Sequence, residues 1–145
     1  MDKISILVIN GPNLNMLGTR EPNLYGSMTL DEISKKMTDY AQERDIVLKF
    51  FHSNIEGEIV DQIQKSMGYY NGIIINAGAY SHTSIAIRDA IAGIDVPVVE
   101  VHISNIFRRE DFRHRSFIAP VCVGTIVGLG YLSYILALEY FALSR

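Results

Sequence analysis

The chain has one cysteine, Cys122, so no intrachain disulfide can form, and its place in an apolar run reads as a small core hydrophobe. That usage points to a reducing, cytoplasmic setting. Positive charge is also scarce: the net charge is -3, the pI is near 5.8, and no Lys/Arg run is longer than Arg108 and Arg109. A nucleic-acid partner is therefore not expected. The 4 histidines, His52, His82, His102 and His114, stand in neither HExxH nor paired-cysteine spacing, so no metal site is expected. No repeat and no linker divides the 145 residues, which fit one domain, 1–145, with no room for a second. The N-terminus lacks a basic region followed by a cleavable apolar core, so no secretion signal is expected. Val121 to Leu143 has the length of a membrane span and only Glu139 as a charge. Pro120, Gly124, Gly128 and Gly130 interrupt its first half, and no basic cluster flanks it, so a strand, a glycine turn and a buried helix explain it better.

What is present is an alternation of strand and helix patterns. ISILVIN, Ile4 to Asn10, has the length and β-branching of a buried strand. Asn10 to Gly26, NGPNLNMLGTREPNLYG, is far longer than an ordinary strand-to-helix connection. Leu14, Met16, Leu17, Leu24 and Tyr25 supply apolar anchors, and the composition is that of a lid, at about residues 11–28, rather than a solvated tail. Thr29 and Glu32 form a capping box for a helix over 30–44. A strand is expected from Ile46, then a helix capped by Asn54 with Ile55, Ile59, Ile63 and Met67 on one face. GIIIN, 72–76, reads as a strand buried on both faces. A third helix, 85–92, is capped at Thr83 or Ser84 and closed by Gly93. VVEVH after Pro97 is the fourth strand. A polar, basic loop then leads to a fifth strand near 122–127 and a last helix over 131–143. Five alternations argue for a parallel sheet with helices on both faces and ligand chemistry at the strands' carboxyl ends.

The polar residues of the rim loops define candidate chemistry. Glu100 and His102 stand two apart on a strand and share a face, where the carboxylate favours a protonated imidazole able to act as a general acid. A structural ion pair at a strand end gives the same pattern. Tyr25 is a poor base at a free pKa of about 10 unless a cation such as Arg20 brings that down; its other reading is an aromatic anchor for the loop. Asn13, Asn76, Ser104 and the backbone donors of Ile103 and Ser104 are dipoles fit for a carboxylate or a developing enolate, or else turn residues. His82 and Arg113 can bind hydroxyls, and Asp89 is as readily a solvated charge. Together they suit a small, polyhydroxylated anion.

These blocks, NGPNLNMLGTREPNLYG, INAGAYSHTS, RDAI, VEVHISN and FRHRS, resemble type II 3-dehydroquinate dehydratase over essentially the whole chain. The resemblance implies a flavodoxin-like, five-stranded parallel sheet and a homo-oligomer, a dodecamer built from trimers. It implies cofactor-free anti-elimination of water from 3-dehydroquinate to 3-dehydroshikimate through an enolate, in aromatic biosynthesis or quinate breakdown. Carried over, Tyr25 is the base at C2, Arg20 the cation beside it, and Asn13 the holder of a water at the enolate oxygen. His102 is the acid at the C1 hydroxyl and Glu100 its partner. Asn76 holds the reacting hydroxyl, Ile103 and Ser104 the carboxylate, His82 and Arg113 the ring hydroxyls, and Asp89 reaches a neighbouring subunit's site. Phe107, Arg108 and Arg115 depart from the family pattern. The last helix, apolar and aromatic, hints at a subunit contact. Two other readings compete. An FMN-type module needs a short phosphate loop that the long insertion does not supply, and GLGYLS lacks the third glycine of a dinucleotide fingerprint. A shell protein leaves Tyr25, Arg20 and His102 without purpose.

Overall fold

The computed structural model describes residues 3–19, 23 and 26–145. Its sheet is built from β1 (Ile4–Asn10), β2 (Ile46–His52), β3 (Gly72–Asn76), β4 (Val98–His102) and β5 (Gly124–Val127). All pairs are parallel, in the order β2-β1-β3-β4-β5. That order is the flavodoxin-like one, in which the chain reverses direction between β1 and β3 and leaves a crevice at their carboxyl ends. The helices are α1 (Leu30–Gln42), α2 (Glu56–Lys65), α3 (Ile85–Ala92) and α4 (Leu132–Ser144).

Strand alternation decides which helix covers which face. Ile6 and Val8 of β1 point into one cluster with Ile33 and Met37 of α1 and Leu138 and Phe141 of α4. Leu7 and Ile9 point into the other, with Ile59 and Ile63 of α2 and Ile87 and Ile91 of α3. Because residues 6–9 of β1 and 73–75 of β3 are buried on both sides, those runs are apolar without a polar alternate. Each fully buried Ile or Leu contributes about 1.5–3 kcal/mol of transfer free energy.

Several boundaries differ from the sequence reading. Helix α1 stops at Gln42 instead of Arg44, β5 begins at Gly124 instead of Cys122, and α4 runs one residue later at both ends than expected. The cap assigned to Asn54 is a correction: the N-cap of α2 is Ile55, without a side-chain bond. Ser53 Oγ takes the Ile55 N–H, and Asn54 Oδ1 instead accepts the Asn13 N–H at 2.9 Å. Ile55 and Met67 are exposed, so the buried stripe of α2 reduces to Ile59 and Ile63. Thr29 does cap α1, its Oγ1 accepting from Glu32 N, and Ser84 caps α3 through Ile87 N. The loop after β4 forms three short 3-10 turns, at Ile106–Arg108, Asp111–Arg113 and Ala119–Val121. Among the described residues no helix is long and apolar enough to cross a membrane.

Candidate active site

The rim begins where β1, β2 and β3 end in register, with Asn10 opposite both His52 and Asn76. Beyond Asn10 the chain turns at Gly11, whose N–H donates to the Asn76 carbonyl at 2.8 Å. A Cβ on Gly11 would stand 2.6 Å from the Ala77 carbonyl oxygen, so only glycine lets the two loops lie this close. Asn13 follows in the left-handed region, φ 69, which asparagine tolerates better than most residues. Leu14 and Leu17 are buried in the α1/α4 cluster, as apolar loop anchors should be, while Met16 is 48% exposed. Leu24, together with the expected cation Arg20 and the expected base Tyr25, lies outside the described residues.

A cavity of about 190 Å³ opens between this loop and the ends of β3 and β4. It gathers Asn13, Asn76, His82, His102, Ile103, Ser104 and Arg113, seven of the residues singled out from the sequence. Their convergence follows from topology: Asn76 and His102 end β3 and β4, and the others stand on the loops that leave β1, β3 and β4 at the same rim. Asp89 does not join them; it is exposed on α3.

Glu100 lies beneath His102, with no exposed surface. Its Oε2 is 2.6 Å from His102 Nε2 and accepts the Ser116 hydroxyl at 2.8 Å, while Oε1 accepts the Thr125 hydroxyl at 3.1 Å. Burial by itself pushes this carboxyl up, but the His102 hydrogen bond and charge, with the Ser116 and Thr125 hydroxyls, bring it below the usual carboxylate value. The ionised carboxylate only accepts, so Nε2 of His102 carries hydrogen and Nδ1 is the nitrogen left to meet a ligand.

His82 stacks on His102, ring centroids 6.1 Å apart. Its Nδ1 donates to the Arg115 carbonyl at 2.9 Å, so the neutral ring presents Nε2 as an acceptor. Burial lowers its pKa first, and the charges of His102 and Arg113 add to that against the Arg115 carbonyl and Glu100. A neutral acceptor suits a ligand hydroxyl. Arg113 is paired with Glu110 at 3.2 Å.

Sequence reading missed Arg109, whose side chain is 10% exposed, lines the cavity and brings Nη1 to 3.5 Å from Ser104 Oγ. Nothing in RRED distinguishes it from the exposed Arg108; only the 3-10 turn that ends at Arg108 and is capped by Arg109 does. Ser116, Thr125 and Tyr134 were missed too, since each reaches the site from a distant element. Of the departures, Phe107 and Arg108 are exposed, and Arg115 serves through its carbonyl. Cys122 is half-buried against the α2/α3 cluster, and burial, then the Glu100 charge, pushes its thiol up to about 12. Among the described residues no cluster of three or more His, Cys, Asp or Glu side chains could hold a metal ion.

A doubly wound parallel sheet with a rim cavity above a buried carboxylate and imidazole defines a flavodoxin-like α/β protein equipped for acid–base chemistry. Within that class the chain belongs to one family: residues 4–142 match Dehydroquinase class II. It is 58% identical over 135 residues to a 3-dehydroquinate dehydratase of a Nitratiruptor species, covering 93% of this chain and 86% of that protein. The type II dehydroquinase of Butyrivibrio crossotus DSM 2876 superposes with a TM-score of 0.93 at 46% identity, over 95% of this chain and 97% of that one. The type II dehydroquinase of Propionibacterium acnes gives 0.95 at 39%, over 99% of both.

Proposed function

We propose that this protein is a 3-dehydroquinate dehydratase that removes water from 3-dehydroquinate to give 3-dehydroshikimate. The observation that carries the reading is the Glu100–His102 pair at 2.6 Å beneath a rim cavity in a chain of the class II dehydroquinase family. In this reading the Tyr25 phenolate, favoured by the Arg20 cation, takes a proton from C2, and the electron pair moves onto the C3 oxygen as an enolate. Asn13 holds a water at that oxygen. The enolate then collapses to form the C1–C2 double bond. The C1 hydroxyl leaves as water with a proton from His102, whose imidazolium is sustained by Glu100. A proton passing from Tyr25 to His102 resets the pair. No cofactor takes part.

Ile103 and Ser104 would take the substrate carboxylate, with Arg109 adding positive potential behind Ser104. Asn76 would hold the reacting hydroxyl. His82, neutral with Nε2 facing out, and Arg113 would bind the ring hydroxyls. Asp89, exposed on α3, would serve a neighbouring subunit's site in a trimer-based dodecamer in the cytoplasm. The experiment is turnover of 3-dehydroquinate by the purified protein and by Tyr25→Phe, read as absorbance of the conjugated product. Product is expected from the first and none from the second. An inactive parent protein rejects the function, and an active Tyr25→Phe rejects the base.

A further inference from the structure

Asn76 is tied to the last helix by hydrogen bonds whose direction can be worked out atom by atom. Its Oδ1 lies 3.1 Å from the backbone nitrogen of Gly78. A backbone N–H only donates, so the amide atom facing it is the oxygen. The NH2 end must point away, and Nδ2 stands 2.9 Å from the hydroxyl oxygen of Tyr134 on α4. That oxygen therefore accepts, and the one phenolic hydrogen goes to Asn10 Oδ1 at 2.6 Å. Tyr134, Asn10 and Asn76 are 0%, 2% and 3% exposed, so solvent does not readily replace a link in this chain. Burial pushes the Tyr134 phenol well above its ordinary value, against a smaller opposing pull from Asn76, so the hydroxyl keeps its hydrogen and the direction of the chain is constant.

We infer that Tyr134 is a positioning residue for substrate recognition: together with the Gly78 N–H, its hydroxyl holds the Asn76 amide so that a set pair of its atoms faces the cavity. With one Nδ2 hydrogen spent on Tyr134 and one Oδ1 lone pair on Gly78, the amide keeps a single hydrogen and a single lone pair in set places. A ligand hydroxyl, which both donates and accepts, is the group that matches such a pair. Tyr134 itself does not line the cavity; it acts through Asn76. A phenylalanine in its place fills the same space but leaves Nδ2 without its acceptor, so the amide is held by the Gly78 N–H alone and its NH2 end can swing out of its set place.

The inference rests on the reading of Asn76 as a hydroxyl-binding group, and two measurements separate its fate from that of the proposed function. In a cycle of Tyr134→Phe, Asn76→Ala and the double variant, kcat/KM for 3-dehydroquinate is measured well below each melting temperature. Tyr134→Phe should cost about tenfold or more when Asn76 is present, and less than about twofold when it is alanine, because the amide it positions is then gone. A lowered melting temperature with unchanged kcat/KM would make the hydroxyl merely structural and overturn the inference, as would equal losses in both backgrounds. The second measurement uses the unaltered sequence, so it stands even if Tyr134→Phe does not fold or turnover is absent. In ¹⁵N-labelled protein the two Asn76 side-chain amide protons, assigned by their loss in Asn76→Ala, should be slow to exchange with water. Rapid exchange of both protons with water would overturn the tie.

Discussion

At Glu100 a carboxylate without exposed surface accepts hydrogen from His102, Ser116 and Thr125, which stand on β4, on the loop after it and on β5. A buried charge is retained at acceptable cost only when so surrounded, and here its effect is to keep a charged partner under the imidazole. His102→Ala should therefore lower kcat by about a hundredfold or more while a non-reacting carboxylate analogue still binds, measured by steady-state kinetics and calorimetry. Equal losses of binding and rate would make the histidine structural. His82 gives a pH expectation of definite sign. Its folded value is lowered by burial and then by neighbouring charges, so the unfolded chain takes up a proton first as pH falls. Stability contributed by the neutral ring is fully present above the unfolded value of about 6.5 and lost as pH drops from there through the folded value. In an NMR titration the His82 ring should titrate below 6.5. It should move upward in Arg113→Gln, which removes one of the cations lowering it; no movement, or a value above 6.5, would contradict the assignment.

Among the elements of the described residues, those with a strong local signal were readable: five strands, four helices, and two caps at Thr29 and Ser84. Local signals fail where a side chain serves a distant partner. Asn54 has the look of a cap, yet its amide is drawn across to Asn13 and its carbonyl accepts the Tyr80 hydroxyl at 2.7 Å, so it ties the first loop to the second and third. Tyr134 belongs to an aromatic, apolar helix, and nothing in YLSYILALEY marks the one tyrosine whose hydroxyl meets two asparagines. The roles proposed for Tyr25 and Arg20 rest on the family resemblance, because pattern alone leaves the phenol equally an anchor. The close loop approach at Gly11 supplies a test at this scale. Gly11→Ala should force the loops after β1 and β3 apart, since the obstructing atoms are the Ala77 carbonyl rather than a yielding side chain. The expected cost is about 1–3 kcal/mol in denaturant unfolding, with reduced kcat/KM. Unchanged stability and activity would mean that the approach is not needed.

On the scale of the whole molecule, α4 is two-faced in an unusual way: Tyr134, Ala137, Leu138 and Phe141 are buried, yet Leu132, Leu136, Tyr140 and Leu143 stand exposed on the other side. Such a stripe, together with the exposed Asp89 read as serving a neighbour, leads us to expect assembly. Sedimentation should find a trimer-based particle, and a stable, fully active monomer would exclude it. The expectation of assembly rests on the apolar excess of the last helix, whereas its geometry is not written in a single chain. The edge of the sheet bears on the setting of the buried carboxylate. β5 is an edge strand of 4 residues, and it carries Thr125, a donor to Glu100. Edge segments with little burial undergo local opening far more often than the interior unfolds. An opening of β5 would withdraw Thr125 from the carboxylate and leave His102 and Ser116 as its remaining donors. The amide exchange of Gly124–Val127 therefore reports the same opening that removes one of the three hydrogen bonds to Glu100, so the setting of that buried charge is timed at the margin of the sheet rather than by global unfolding.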